Sequence, residues 1–108
     1  MKQPKILLDT QPDMIRHLRA DANYTILFLT DGKRIISGYS LNIFADLFDE
    51  HTFVRIDRSN LVSRHYISAV LADGRILLKN NESIVIPRRR KAMLTLQYPG
   101  LFTNLKTA

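Results

Sequence analysis

The chain of 108 residues has no cysteine, which excludes a disulfide framework and any thiolate metal site and fits a reducing compartment. It has no apolar run near the roughly 18 residues that span a bilayer. Its N-terminus, MKQPKILLDTQPDM, offers an apolar run of three, too short for the core of a secretory signal. A soluble, cytoplasmic protein without a membrane partner is expected. Glycine is scarce, at positions 32, 38, 74 and 100, and forms neither G-x-G-x-x-G nor a Walker pattern; G-x-S-x-G is missing as well. His17, His51 and His65 stand far apart and outside any H-x-x-x-H or H-E-x-x-H spacing, so no metal site and no cofactor is expected. Ser59, His65 and Asp57 have the residue types of a triad. They crowd into one short stretch, and nothing marks an oxyanion hole. No catalytic residue is assigned, and an enzyme is not expected.

What the chain does have is apolar content typical of a globular protein, 45%, in a length that suits one domain over 1–108. The core is expected over about 5–97, with 98–108 as a tail. Positive charge is unevenly placed. Residues 1–53 carry six Lys/Arg against seven Asp/Glu, and residues 54–108 carry ten against three. The excess in the second half suits a polyanionic partner, although charge alone leaves a solvated basic surface as the alternative.

Short apolar-rich runs at 5–9, 14–20, 24–29 and 33–38 read as strands, and Asp31-Gly32 between two of them predicts a hairpin. Asp73-Gly74 and Asn80-Asn81 divide YISAVLA, RILLK and ESIVI into a three-stranded meander. From Ser40, SLNIFADLFDE places Leu41, Phe44, Leu47 and Phe48 at helical spacing, with Ser40 as N-cap. A second helix is expected over 87–97, with Pro87 in its first position and Met93, Leu94 and Leu96 as a packing stripe. After Thr95 helix and strand are both open, and the tail either docks or frays. A mainly β fold of short antiparallel strands with one or two short helices follows, without the alternation of a Rossmann-like or P-loop fold. His17, alternating with Arg16 and Leu18, is expected on an exposed strand face.

Two segments carry the chemistry. Cations in the first turn of a helix oppose the macrodipole by roughly 0.3–1 kcal/mol each. Four in succession, Arg88, Arg89, Arg90 and Lys91, therefore point to a use other than stability. Guanidinium groups beside free backbone N–H groups suit phosphate. The second segment is FVRIDRSNLVSRHYI, residues 53–67. As a strand it turns Val54 and Ile56 to the core and Arg55 and Asp57 the other way. Asp57 is expected to pair with an arginine and orient it. Arg58, Ser59 and Asn60 then form a loop before Leu61 and Val62 return to the core. Arginine bonds guanine bidentately and asparagine bonds adenine, while serine suits a phosphate or a turn.

FVRIDRSNLVSRHYISAV resembles the signature of the LytTR DNA-binding domain, in which a strand with Phe-x-Arg-x-x-x-Ser precedes an apolar pair. RADANYTILFLTDGKRI is similar to that family's Asn-Tyr strand and Asp-Gly hairpin, SLNIFADLFDE to its helix, and IVIPRRRKAML to its terminal strand and Ser-Arg-Arg segment. The similarity runs from about residue 5 to 97. It implies an elongated β-sandwich of short hairpins and a bacterial transcriptional regulator of the response-regulator output type. Such a protein binds repeated sites in double-stranded promoter DNA through loops in successive major grooves.

Carried over by position, the resemblance assigns base reading to Asn23, Tyr24, Arg58 and Arg89. It assigns phosphate binding to Arg55, Ser59, Asn60, Arg64, His65, Arg88, Arg90 and Lys91. A dimer on DNA or an upstream signalling partner fits this picture. The family usually follows a receiver domain or a membrane segment, so a stand-alone member or an excised domain is expected. Asp57 stands where the family commonly has histidine, Ser63 where it has asparagine, and Pro87 where it has serine. These changes imply an altered DNA preference or weaker binding. An RNA-binding or ribosome-associated β module is the alternative, opposed by the few aromatics of the basic half, Tyr66 and Tyr98. A protein–protein adaptor is a third reading.

Overall fold

The computed structural model of the chain describes residues 10–102. The strand expected at 5–9 and the tail beyond 102 lie outside them. The described residues form two compact units, the first ending at His65 and the second beginning at Tyr66.

In the first unit, strands β1 (Ile15–Asp21), β2 (Tyr24–Leu29) and β3 (Arg34–Ser37) precede helix α1 (Leu41–Leu47), and β4 (Phe53–Arg55) and β5 (Asn60–Ser63) follow it. They form one antiparallel sheet in the order β3-β2-β1-β5-β4. One face carries the core: Ile15, Leu18, Leu27, Leu29, Phe53 and Leu61 meet Leu41 and Phe44 of α1. Phe44 is fully buried, and Phe48 stacks on Phe53 with ring centroids 4.5 Å apart. Ser40 occupies the N-cap position as expected, but its hydroxyl caps nothing; its carbonyl accepts the Ile43 N–H at 3.1 Å.

The opposite face corrects the expectation for His17. A bulge after Ile15 breaks the period of two, so that Ile15 and Leu18 share the core face while His17 pairs with Phe28 and Val62. His17 is buried, and its ring stacks on Phe28 with centroids 4.3 Å apart and an 11° tilt between planes. The guanidinium groups of Arg16 and Arg19 lie over the same Phe28 ring, at 5.4 and 5.1 Å.

The second unit is the expected meander, β6 (Ile67–Val70), β7 (Arg75–Leu78) and β8 (Ser83–Val85), followed by α2 (Arg88–Gln97) and α3 (Pro99–Phe102). Helix persists through Thr95, and the start of the tail docks: α3 packs on α2 and β6, and Tyr98 and Phe102 are buried. Pro87 is the N-cap rather than the first helical residue. Of the expected stripe only Leu94 is buried, with Leu96 84% exposed and Met93 half exposed. The observed architecture is mainly β, with two antiparallel sheets and short helices.

Three hairpin turns share one construction. Leu29, Leu71 and Leu78 each donate their N–H to the carbonyl four residues on, at 2.9, 2.8 and 2.8 Å. The side chain of Asp31, Asp73 or Asn80 accepts the N–H two residues ahead, at 2.9, 3.2 and 3.0 Å. The residue between, Gly32, Gly74 or Asn81, takes φ of 91°, 93° or 71°, which glycine and asparagine tolerate best.

Truncating Phe44 to alanine should cost about 3–5 kcal/mol, as for a buried aromatic, whereas Leu96→Ala should change stability by less than about 0.5 kcal/mol. Urea unfolding followed by circular dichroism measures both. A large loss at Leu96 would contradict the exposure of that helix face.

Candidate nucleic-acid interface

Because β1 and β5 run antiparallel with Arg19 opposite Asn60, the β1–β2 turn and the β4–β5 loop emerge at the same end of the five-stranded sheet. The turn is Ala22-Asn23, with Ala22 held at φ 54°, and it presents Asn23 and Tyr24; Tyr24 is 56% exposed. The loop presents Arg58 and Ser59, both exposed, and its half-buried base holds Arg55, Asp57 and Asn60. Two carboxylates, those of Asp21 and Asp57, accompany this group.

The loop is fastened from several sides. Ile56 donates its N–H to the Asn60 carbonyl at 2.9 Å, and the Ser59 carbonyl accepts the Ala20 N–H of β1 at 2.8 Å. Val54, Ile56, Leu61 and Val62 are buried, as expected of the anchors on either side. The expected pairing of Asp57 with an arginine is not formed. Its carboxylate accepts the Ser59 N–H at 2.7 Å and the Asn60 amide at 3.0 and 3.2 Å. Arg55 instead donates to the backbone carbonyls of Asp57 and Arg58, at 2.6 and 2.9 Å. The physical reason is the tight turn, which brings its own N–H and amide donors to the carboxylate and turns its carbonyls toward Arg55.

Arg64 and His65 do not join this group. They follow the last residue of β5, at the other end of the sheet, where Arg64 donates its N–H to the Thr52 carbonyl at 2.7 Å. His65 there borders a shallow cavity with Gln11, Pro12, Asp13, Thr52 and Ser63. Among the described residues no cluster of three or more His, Asp or Glu side chains could hold a metal ion.

In the second unit the basic run occupies the first turn of α2. Arg88, Arg89 and Lys91 are exposed, and Arg90 is half-buried. No acidic side chain lies in that turn, and Pro87 makes no side-chain cap. The Pro87 carbonyl accepts the N–H groups of Arg90 and Lys91, at 2.9 and 3.2 Å. The N–H groups of Arg88 and Arg89 precede any intrahelical acceptor. A cation the sequence reading missed lies alongside. Ile86 donates its N–H to the Gly74 carbonyl at 2.8 Å, which sets the β6–β7 turn, and with it Arg75, beside the start of α2. Arg75 forms an ion pair with Asp73 at 2.8 Å. The arginine directly after an Asp-Gly turn is the signal that could have marked it.

Comparison with known proteins bears on the family and the fold. The model of the LytTr DNA-binding domain family matches residues 6–98. Among solved structures, the chain is similar to the LytTr DNA-binding domain of a Bacillus cereus protein described as a methyl-accepting/DNA response regulator. The TM-score is 0.73 at 20% identity, over 81% of this chain and 83% of that one. At this identity the likeness speaks for the fold. No curated protein matches the chain significantly in sequence.

The Asp73–Arg75 pair gives a check on the surface beside α2. The hydrogen bond from Arg75 holds the Asp73 carboxyl below its ordinary value of 3.8, so the pair is intact at neutral pH and is lost as the pH falls through that lowered value. Carboxyl titration by NMR should find Asp73 below 3.8 and should find it restored in Arg75→Ala.

Proposed function

The chain belongs to the LytTr DNA-binding domain family, and on that premise we propose that it is a transcriptional regulator that recognises double-stranded DNA sequence-specifically. The family is one of DNA-binding domains rather than of enzymes. The observation that carries the proposal is the convergence of the β1–β2 turn and the β4–β5 loop at one end of the sheet. There Asn23, Tyr24, Arg58 and Ser59 are exposed together on a hydrogen-bonded frame.

In this reading Arg58 takes a guanine edge in the major groove, and Asn23 with Tyr24 reads the adjacent bases. Arg89 reads from the start of α2, while Arg88, Arg90 and Lys91 hold phosphates together with the helix's free N–H groups. Arg75 joins them as a further phosphate contact, and Ser59 takes one at the loop. Arg64 and His65 would need DNA that reaches the far end of the sheet, so they contribute on a long or bent site. Repeated promoter sites bound by two copies, and an upstream signalling partner, complete the proposal. Single-stranded RNA is less favoured by the exposure of the two aromatics in question: Tyr98 is buried and Tyr66 half-buried, which leaves no stacking platform there.

Selection from a random duplex library should return one motif. If about six phosphates are neutralised, log K should then fall against log salt with a slope near about −5. Arg58→Ala and Arg89→Ala should each cost about 1–3 kcal/mol on that motif. Equal losses on random DNA would reduce both residues to phosphate contacts. A chain that retards no duplex at low salt would end the proposal.

A further inference from the structure

The β4–β5 loop is braced more heavily than a four-residue connection requires. Arg55 leaves β4 half-buried, and its planar fork reaches two successive carbonyls, with Nε on Asp57 at 2.6 Å and Nη2 on Arg58 at 2.9 Å. A lysine ammonium is a single point on a flexible stem and does not reproduce that fork. From within the turn, the Asp57 carboxylate gathers the Ser59 N–H and the Asn60 amide, at 2.7 and 3.0 Å. The Ser59 carbonyl is fixed to Ala20 of β1. What remains outside these bonds is the pair of side chains at the tip: among the described residues neither Arg58 nor Ser59 makes a side-chain hydrogen bond.

We propose that Arg55 and Asp57 are positioning residues that hold the loop preformed, so that Arg58 meets a base edge already oriented. The proposal rests on the DNA-binding reading above. It moves Arg55 and Asn60 from the DNA to the frame beneath it. It also gives Asp57 a use at a place where a carboxylate would otherwise only repel phosphate. A preformed loop loses less conformational freedom on binding, and that advantage is realised where geometry matters, on the cognate site. Discrimination between cognate and random duplex therefore depends on Arg55 and Asp57, while affinity for any duplex depends on the outward cations.

The experiment compares the full chain with four variants, Arg55→Lys, Arg55→Gln, Asp57→Asn and Asp57→Ala. It reads solvent exchange of the Ser59 amide without DNA, and affinity for the selected and a random duplex across salt. Arg55→Lys should speed Ser59 exchange and lower the cognate-to-random ratio, each about tenfold, the scale of a lost charge-assisted hydrogen bond. Arg55→Gln should leave the salt slope unchanged; a slope shallower by about 0.9 would mark a phosphate contact and overturn the assignment. Asp57→Asn keeps one acceptor oxygen for both donors but loses the charge, and should lose clearly less of the ratio than Asp57→Ala, which should lose about tenfold. Equal losses in the two Asp57 variants would overturn its role, as would unchanged Ser59 exchange in Arg55→Lys for that of Arg55. A wild-type chain that binds no duplex would sink the DNA reading instead, and the exchange measurement would still decide whether these residues order the loop.

Discussion

Strand β1 is hydrogen-bonded along both edges, to β2 and to β5, and the rest of the first unit takes its place from that double pairing. The β2 side is local, closed by a two-residue turn. The β5 side is not: Arg19 meets Asn60 only after a hairpin, a helix and another strand have intervened. Loop-closure entropy rises slowly with length, so burial can offset the ordering of this long connection. Leu18 and Leu61 sit opposite each other on the face that α1 covers with Leu41 and Phe44, and all four are buried. The same register carries the Asn23 turn and the Arg58 loop to one end of the sheet. Core and surface are thus fixed by one set of ladder bonds.

The chemistry encoded within a few residues was legible; chemistry that depended on geometry was not. Asp31-Gly32, Asp73-Gly74 and Asn80-Asn81 named their turns correctly because a short Asx side chain and a residue tolerant of positive φ act locally. The leucine that opens each turn, in LTDGK, LADGR and LKNNE, was also visible and went unread. His17 was misplaced because a bulge leaves no mark in Ile-Arg-His-Leu, and one added residue exchanges the two faces of a strand. Asp57 among arginines suggests an ion pair, yet the arginine bonds to backbone carbonyls, which every residue has and no sequence signal reports. Arg64 and His65 are close to Arg58 in sequence, but the four residues of β5, at about 3.3 Å each, carry them to the other end of the sheet. Met93 and Leu96 were assigned to the core on hydrophobicity alone, without a fixed helix phase.

The basic turn of α2 works against the local stability of its own helix. Its four cations face the positive end of the helix dipole with no acidic residue in the turn and no side-chain cap. The helix is held from elsewhere: Leu94 is buried, Tyr98 donates its N–H to the Leu94 carbonyl at 2.8 Å, and α3 packs alongside. The anchoring end and the charged end of α2 are therefore separate. Substitutions at the exposed Arg88, Arg89 and Lys91 alter charge away from the buried Leu94.

The lengths of the strands carry a further consequence. Among the described residues the two longest, β1 and β2, with seven and six residues, lie inside their sheet, while those at the borders, β3, β4, β6 and β8, have three or four. A border that short offers few unpaired backbone groups to a passing chain, which is how natural sheets avoid growing by accretion. Among the described residues the borders of both sheets therefore give a further strand little backbone to pair with.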